Sequence, residues 1–506
     1  MKIKSNLPLI ILSLCAGGSA YSATYTKSVY SLPLTLDPIK MNDTSSLVAG
    51  NLIFDGLLKF SPSLEVQEAL AESWQTSSDG KVLTFKLRPN LKFHDGSPLT
   101  SEDVVYSLKR AVSKESMVRK YYDCIEGSDE RNGSVDLTKV GVTAKDLLTI
   151  EVRLKSPFPA FASVLAGATA KILPRKSASQ KNFFINPIGS GAFQFIAKDP
   201  ATKTMKLKPF AQYYRGKSKL ESLILKESSE VDALASARSG QVQDLANWPL
   251  SKTNGIFKIG KNISAPIAAT WIIGLNTKKA PFDSQDMRQA FKASFDTEAL
   301  RAKYYPDAAP AFGYIPPGLP GFKKSPSPNT EEFQKSFSKK ITIAIPNALA
   351  NHLDLKKTME ADLNSKGWKV EVKAMAWDDL MKGYVSKTHQ AFLVSMNMDY
   401  PDADFLMRNF ESHNPDNFSG ISNKELDLLI SKFRSEPDKL KRAALYKEAI
   451  ILLDKLALTV NLFHPRANYW VSSCVQGFEA NILSDVYIDY SVVSVDEQCL
   501  QKMVRK

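Results

Sequence analysis

Residues 341–376 alternate between strand-like and helix-like patterns, and this alternation constrains the fold more than any other stretch of the chain. The segments 341–347 (ITIAIPN) and 368–375 (WKVEVKAM) have the patterns of strands. Between them, 354–367 (DLKKTMEADLNSKG) has the pattern of a helix. This order predicts a βαβ unit and a parallel sheet, so we expect an α/β protein.

The length of the chain indicates more than one lobe. A single hydrophobic core stops growing at about 250–300 residues, and this chain has 506. With 43% hydrophobic and 24% charged residues, it has the composition of a globular protein. We expect a junction between subdomains at the Pro/Gly-containing segment 185–195 and a crossing between lobes at 270–283, where a buried strand ends in a polar turn.

Two local motifs predict structure residue by residue. Alternating apolar residues over 81–96, interrupted by a Pro-Asn turn, predict a β-hairpin. The next segment begins with Thr100 and carries Asp103 three residues later, which is the spacing of a helix capping box. A helix is therefore predicted from Thr100, with an apolar face that extends to Val112.

The first 20 residues have the order of a secretory signal. Two lysines precede an apolar run over 7–16 that is too short to span a bilayer, and small residues follow as far as Ala20. We predict cleavage after Ala20 and export from the cytoplasm. A lipid anchor is not expected, because Leu14 precedes Cys15 where lipoprotein signals carry a small residue.

The charge balance and the cysteines say little about partners. The net charge is +13, and loss of the two signal lysines leaves +11, but Lys and Arg are scattered without a long basic run.

Three cysteines would remain after cleavage: Cys124, Cys474 and Cys499. An oxidising compartment favours disulfides. Cys474 with Cys499 is the candidate pair, although the sequence leaves other pairings open and one thiol must stay unpaired.

Familiar catalytic and cofactor motifs do not occur. Gly216-Lys217-Ser218 ends like a phosphate-binding loop, but Ala211 stands where that loop needs glycine. The five histidines are too dispersed along the chain to predict a zinc site. Because a Ser-His-Asp triad can be assembled from distant positions, an exported hydrolase stays open as an alternative.

Three carboxylates follow directly on the apolar run 391–396. Asp402 and Asp404 precede a helical pattern, and both are predicted to cap that helix; their spacing does not match a calcium loop. Asp399 instead lies where the strand ends, which is where ligands meet an open α/β sheet. A buried carboxylate needs a paired charge, and we expect a ligand ammonium to supply it.

The stretch 70–110 resembles the signature region of the family 5 extracellular solute-binding proteins of peptide and nickel ABC importers, in particular the oligopeptide- and dipeptide-binding members. Supporting segments occur in the family's order: TLDP (35–38), IFDGLL (53–58), PIGSGAF (187–193), LNTKKAPFDSQDMRQAFKASFD (275–296) and VQGFEAN (475–481). The resemblance covers essentially the whole mature chain.

The resemblance implies a two-lobed periplasmic binding protein fold of type II, in the large cluster with an extra N-terminal subdomain. Two strands would cross between the lobes as a hinge, near 271–278 and 460–474. The expected parts are a signal peptide (1–20), lobe I (21–62, 187–274 and 475–506), an extra subdomain of lobe I (63–186) and lobe II (275–474).

The resemblance also implies a function. The protein would be the periplasmic substrate-binding component of an ABC importer, a monomer that captures a peptide between its lobes and delivers it to the membrane permease. It would need no cofactor, bind no nucleic acid and catalyse no reaction. Within the family, the alternative is a non-peptide ligand: a nickel chelate, haem, an opine or another small amine.

In peptide-binding relatives the acid of a W-x-A-D-Y-like motif holds the peptide α-amino group. The sequence MNMDY matches this motif, with Asp399 as the acid and Met396 in place of Trp, and Trp377 matches an aromatic pocket residue. Tyr384 and Leu393 align where those relatives carry arginines for the peptide carboxylate. A fixed short peptide length is therefore not expected to be recognised in that way.

The resemblance adds pocket residues from the first lobe and the hinge: Asn42, Asp43 and Thr44 on a pocket-lining strand, Tyr121 or Tyr122 from the extra subdomain, and Phe463 or His464 from the returning crossing.

Overall fold

The structure is a computed structural model, and it describes residues 23–129, 134–245, 256, 259–325, 339–347 and 353–504. The predicted signal sequence and its cleavage site at Ala20 lie outside these ranges. None of the helices within them combines the length and the apolarity that a membrane span needs.

The described strands are, in chain order, β1 (Thr24–Val29), β2 (Leu58–Phe60), β3 (Val66–Glu68), β4 (Ala71–Thr76), β5 (Val82–Leu87), β6 (Val142–Ala144), β7 (Thr149–Arg153), β8 (Phe193–Asp199), β9 (Thr204–Pro209), β10 (Ser222–Glu227), β11 (Asp244–Leu245), β12 (Gly260–Pro266), β13 (Ala269–Leu275), β14 (Ala309–Pro310), β15 (Lys340–Pro346), β16 (Lys369–Met375), β17 (Ala391–Asn397), β18 (Thr459–His464), β19 (Arg466–Ser472), β20 (Val475–Gln476) and β21 (Ser494–Val495).

The described α-helices are α1 (Thr44–Ile53), α2 (Ser101–Ala111), α3 (Phe161–Leu165), α4 (Arg175–Ala178), α5 (Glu230–Arg238), α6 (Gln285–Ser294), α7 (Thr297–Tyr304), α8 (Leu353–Ser365), α9 (Trp377–Val385), α10 (Ala403–Met407), α11 (Lys424–Ser435), α12 (Lys439–Leu456) and α13 (Glu497–Val504). Short 3₁₀ turns occur at Arg119–Tyr121, Phe183–Ile185, Arg408–Phe410 and Asp485–Tyr487.

The first lobe is built on a mixed sheet whose described strands follow the order β12-β19-β11-β1-β10-β9-β8. β1 pairs in parallel with both β10 and β11. Lys27 of β1 is buried, and its ammonium forms ion pairs with Asp244 at 3.1 Å and Asp485 at 3.3 Å. Because these partners are distant in the chain, the cluster ties the first strand to the C-terminal segment.

The second lobe is built on a sheet whose described strands follow the order β14-β18-β13-β17-β15-β16. Residues Lys340–Pro346 of β15 pair in parallel with Lys369–Met375 of β16, and α8 connects the two strands. The predicted βαβ unit and the α/β class are thus confirmed. The helix packs on the strands because Leu355, Met359 and Leu363, at helical spacing, are buried in the same cluster as Ile343.

The described chain passes between the two sheets twice, between β12 and β13 and again at Pro465, between β18 and β19. The first crossing is predicted at 271–278, and this is wrong, because β13 pairs along its whole length with β17 of the second sheet. The lobe boundaries predicted at 275 and 474 move accordingly: β13 belongs to the second sheet and β19 to the first. The crossing at Pro465 lies inside the predicted range.

A four-stranded antiparallel sheet, β4-β5-β7-β6, lies within the range 63–186 predicted for the extra subdomain. The hairpin predicted at 81–96 is wrong, because β5 pairs with β4 and β7, and no described strand follows the turn as its partner. The capped helix is confirmed as α2: the backbone N–H and the hydroxyl of Thr100 donate to Asp103 Oδ2 at 2.9 and 3.1 Å.

A disulfide fixes the C-terminal end of the chain. It joins Cys474 and Cys499, the candidate pair of the sequence, whose Cα atoms are 5.5 Å apart. The bond links the end of the first-lobe sheet to α13. Cys124 carries a free thiol.

Candidate functional site

A cavity of about 610 Å³ lies between the two lobes. Its walls include residues from 41–47 at the start of α1, from 117–121 and 164–169 near the extra subdomain, from 397–400 after β17, and from 483–487 near the C-terminus. A cavity of this volume falls within the range of small-molecule and cofactor sites. It lies between the main structural units of the chain, where a closing movement would enclose a ligand.

Asp399 lines this cavity, just beyond the last residue of β17. β17 is an inner strand that pairs with β13 and β15, and its carboxyl end opens onto the cleft, as expected for ligand sites of open α/β sheets. The Tyr121 hydroxyl donates a hydrogen bond to Asp399 Oδ2, and the Tyr487 hydroxyl donates to the Asp399 main-chain oxygen at 3.4 Å. Within the described ranges, no group donates to Asp399 Oδ1.

Asp399 is an exposed residue of the cavity wall, so the buried carboxylate expected from the sequence is not observed. Desolvation raises the pKa of the Asp399 carboxyl, while the hydrogen bond from Tyr121 and the charge of Lys120 act in the opposite direction. Burial, followed by the Asp399 charge, raises the pKa of the Tyr121 hydroxyl, so this group remains a donor. Asp399 is thus a carboxylate that faces a cavity without a cation in direct contact from the described chain.

Direct contacts join the extra subdomain to the second lobe beside the cavity. Lys120 forms an ion pair with Asp416 at 3.2 Å, and both side chains are about half exposed. The Arg434 guanidinium lies over the Phe158 ring, 5.3 Å from its centroid. Together with the Tyr121–Asp399 bond, these contacts connect the extra subdomain to the second lobe.

The three residues predicted on a first-lobe strand lie instead at the start of a helix. Asn42 and Thr44 line the cavity. Asp43 is the N-cap of α1, and its Oδ1 accepts a hydrogen bond from the Ser46 N–H at 2.9 Å. Of the two tyrosines considered in the extra subdomain, Tyr122 is fully buried in the core, which leaves Tyr121 as the cavity residue.

Three residues predicted from the second lobe do not line the cavity: Trp377, Tyr384 and Met396. Trp377 is the first residue of its helix and is 54% exposed. Tyr384 packs among other aromatic rings and donates to the Asp416 main-chain oxygen at 3.2 Å. Met396 is still part of the paired strand and is buried in the core, whereas Met398, beyond the strand, lines the cavity.

The two residues predicted from the returning crossing pack inside the second lobe. Phe463 stacks between Trp271 and Tyr305, with centroid distances of 5.9 and 4.2 Å. His464 is buried, and its Nδ1 lies 3.1 Å from Thr270 Oγ1. Burial lowers the pKa of His464 to about 4. The structure therefore assigns both residues to the packing of the crossing strand instead of to the cavity.

The two acids that follow Asp399 have structural partners. Asp402 is the N-cap of α10, accepts from the Asp404 N–H at 2.9 Å, and forms an ion pair with Arg442 at 2.8 Å. Asp404 is predicted as a second cap, but it is buried and pairs with Arg434 at 3.0 Å. Of the three carboxylates, only Asp399 lines the cavity described above.

Several wall residues are not indicated by the sequence: Met41, Met117, Lys120, Met398 and Tyr487. Three of them adjoin predicted site residues, which is the signal that the sequence offers: Met41 precedes Asn42, Lys120 precedes Tyr121, and Met398 precedes Asp399. The methionines come from three separate segments, and no pattern marks them as neighbours. The described residues contain no group of three or more His, Cys, Asp or Glu side chains arranged to hold a metal ion.

Comparisons with known proteins agree with this architecture. The family model "Bacterial extracellular solute-binding proteins, family 5 Middle" matches residues 65–418. The probable deoxycholate-binding periplasmic protein YgiS of Escherichia coli K12 is 25% identical over 484 residues, which span 89% of this chain and 89% of that protein. The glutathione-binding protein GsiB of Salmonella typhimurium is 27% identical over 473 residues, which span 87% of this chain and 90% of that protein.

A solved structure gives the same picture of the fold. The ABC transporter-associated periplasmic binding protein DppA from Helicobacter pylori, in complex with the peptide STSA, superposes with a TM-score of 0.74. The alignment covers 94% of this chain and 98% of that protein at 21% identity. At this identity the likeness concerns the fold alone.

Proposed function

Because this chain belongs to the bacterial extracellular solute-binding proteins of family 5, we propose that it captures peptides in the cavity between its lobes and delivers them to the permease of an ABC importer. The observation that carries the proposal is Asp399, a carboxylate that lines the cavity and has one oxygen without a described donor. The N-terminal ammonium of a peptide is the counter-charge that this position lacks.

The peptide ammonium donates to Asp399 Oδ1 while Tyr121 continues to donate to Oδ2. Desolvation in the cavity raises the pKa of Asp399, so an arriving cation stabilises the ionised form. A hydrogen bond to a charged group contributes about 1.5–3 kcal/mol net, which corresponds to about 10- to 150-fold in affinity. This contact fixes one end of the ligand and leaves the rest of the cavity for its side chains.

The remaining wall favours adaptable recognition. Met41, Met117 and Met398 line the cavity, and methionine side chains adjust to ligands of different shape. Asn42 and Thr44 offer polar groups for the peptide main chain. Sequence preference is therefore expected to be weak.

Closure is coupled to binding through contacts that cross the cleft. The Lys120–Asp416 ion pair and the Tyr121–Asp399 bond form only when the extra subdomain and the second lobe approach each other. A ligand shifts the equilibrium toward this form by its higher affinity for the closed cavity. The closed protein is then the form that the permease recognises.

The proposed setting is the periplasm, with the protein acting as a monomer and without catalysis, cofactor or nucleic-acid partner. The signal-like first 20 residues support export, and the relative YgiS is named as a periplasmic protein. The family consists of solute-binding proteins, which supports transport in preference to an exported hydrolase. Release of product from a bound peptide would instead favour the hydrolase.

A non-peptide ligand is the second candidate. YgiS is named for deoxycholate, an anionic steroid without an amine, and the methionine-lined wall suits an apolar molecule. A nickel chelate, haem, an opine or another small amine are further members of this class. An anionic ligand would gain nothing from Asp399, so dependence on that residue separates it from peptides and amines.

The test is native mass spectrometry of freshly purified, signal-free protein, followed by thermal-shift titration with pools of tri-, tetra- and pentapeptides. We expect an added mass that corresponds to peptide and a saturable rise in melting temperature without cleavage of the peptides. Stabilisation by deoxycholate or another amine-free compound, with no response to any peptide pool, would contradict the proposal.

A further inference from the structure

A second cavity, of about 310 Å³, is enclosed by the first lobe and the C-terminal segment. Its charged wall residues are Asp55, Lys59, Lys171, Arg215 and Asp489, with Glu479 at the exposed rim. Residues 486 and 487 line both this cavity and the larger one, so a thin wall separates the two. The volume lies at the lower end of the range for ligand sites.

Lys171 is the unusual residue of this cavity. It is only 8% exposed, and its ammonium makes no hydrogen bond or ion pair with any described residue. Burial lowers the pKa of Lys171 to about 8, and the attraction of the Asp55 charge opposes this shift. The group therefore lines the cavity as a donor that lacks an acceptor from the described chain.

Asp55 provides the opposite charge without closing an ion pair. Its Oδ2 accepts a hydrogen bond from the Tyr213 hydroxyl at 2.9 Å, and no described group donates to its Oδ1. The backbone holds it beside Lys171, because the Ile172 N–H donates to the Asp55 main-chain oxygen at 2.9 Å. The two residues are neighbours through the backbone, yet their charged groups remain apart.

The other charged residues of the wall form no described hydrogen bond with the Lys171 ammonium or with Asp55 Oδ1. Arg215 pairs with Asp489 at 2.8 Å. Lys59 is half-buried, and desolvation lowers its pKa. A ligand that completes the wall must accept a hydrogen bond from Lys171 and donate one to Asp55, within a small volume.

We propose that this cavity is a second binding site, which takes a small zwitterion with one carboxylate and one ammonium, of the class of free α-amino acids. The ligand carboxylate accepts from Lys171, and the ligand ammonium donates to Asp55 Oδ1. A simple anion satisfies only Lys171, and a simple amine satisfies only Asp55. This site is independent of the proposed peptide site at Asp399.

The test is isothermal titration of dialysed, signal-free protein with glycine, alanine and leucine, with acetate and methylamine as the single-charge probes. We expect saturable binding of at least one amino acid at millimolar concentration or below, and weaker binding of acetate and methylamine. Absence of saturable binding up to about 10 mM, or acetate binding as tight as that of the amino acids, would overturn the proposal.

Variants assign the binding to this cavity. Lys171→Met and Asp55→Asn should each weaken amino-acid binding about tenfold or more, the loss expected for one charged hydrogen bond. Asp399→Asn is the matched control and should leave it unchanged. Amino-acid binding that survives Lys171→Met but disappears in Asp399→Asn would place it in the larger cavity and refute the second site. Circular dichroism checks that each variant is folded, and if Lys171→Met does not fold, the comparison of Asp55→Asn with Asp399→Asn decides between the two cavities.

Discussion

Replacing His464 should reduce the sensitivity of this protein to mild acid. His464 is fully buried in the crossing strand. Thr270 donates its hydroxyl hydrogen to the Tyr314 main-chain oxygen at 2.9 Å, so the imidazole Nδ1–H donates toward Thr270 Oγ1 at 3.1 Å and the Ala269 oxygen at 3.2 Å. His464 Nε2 is buried without a partner among the described residues. Acid would place a proton there with no acceptor.

The magnitude follows from the two protonation equilibria. The folded pKa of His464 is about 4, below the ordinary value of 6.5. As the pH falls through 6.5, the unfolded chain binds a proton that the folded chain refuses until about pH 4, so the free energy of unfolding decreases over this window. At pH 5 the decrease from this residue is about 2 kcal/mol relative to pH 7.

The assay is urea denaturation of the unmodified protein and His464→Gln at pH 7 and pH 5. The variant should lose about 2 kcal/mol less than the unmodified protein between the two pH values. His413→Gln, on the protein surface, is the control for replacing a histidine elsewhere in the chain. An equal loss in His464→Gln and the unmodified protein would refute the assignment of a buried neutral imidazole.

Three further substitutions test the roles of residues near the cavity. Asp43→Ala removes the N-cap of α1 and should lower the free energy of unfolding, measured in urea, by about 1 kcal/mol. Ligand affinity should be unchanged. A large loss of affinity would show that Asp43 contributes to ligand binding. Lys120→Met breaks the half-exposed ion pair with Asp416 and should change the free energy of unfolding by less than about 1 kcal/mol. The variant should nevertheless have a larger radius of gyration without ligand, measured by X-ray scattering. An unchanged radius would show that this contact does not hold the lobes closed. Phe463→Ala removes a ring stacked between two aromatic side chains and should lower the free energy of unfolding, measured by denaturation, by about 3–5 kcal/mol. The folded fraction of the variant should keep its ligand affinity. A loss of affinity with little loss of stability would contradict the packing role of Phe463.

The features that the sequence predicted well are local. The capping box of α2 depends on Thr100 and Asp103, which are three residues apart, and the Thr100 backbone N–H and hydroxyl both donate to the Asp103 carboxylate. The βαβ unit depends on a change of hydrophobic period within 36 residues, 341–376. In both cases the residues that determine the structure are neighbours in the chain, so their pattern suffices.

The features that could not be predicted from the sequence depend on residues that are far apart in the chain. The apolar alternation at 81–96 identifies strand β5 but not its partners, which are β4 and β7. Phe463 and His464 belong to a strand that is buried along its whole length, so alternation gives no hint of which side faces the cleft. Lys171 resembles any other lysine in the sequence, and its isolation becomes visible only when the first lobe is assembled around it.

The position of Asp399 is intermediate between these cases. Its place after an apolar strand indicates a ligand-facing carboxylate, and the structure puts it in the cavity wall. The donor to its Oδ2, Tyr121, comes from the extra subdomain, a contact that no local pattern encodes.

The most direct test combines one substitution with one change in the ligand. Affinities of a peptide identified in the pools, and of the same peptide acetylated at its N-terminus, are measured by isothermal titration for the unmodified protein and for Asp399→Asn. We expect acetylation to weaken binding about 10- to 150-fold in the unmodified protein and to have little effect in the variant, because both changes remove the same contact. Equal weakening by acetylation in both proteins would show that Asp399 does not hold the ligand ammonium.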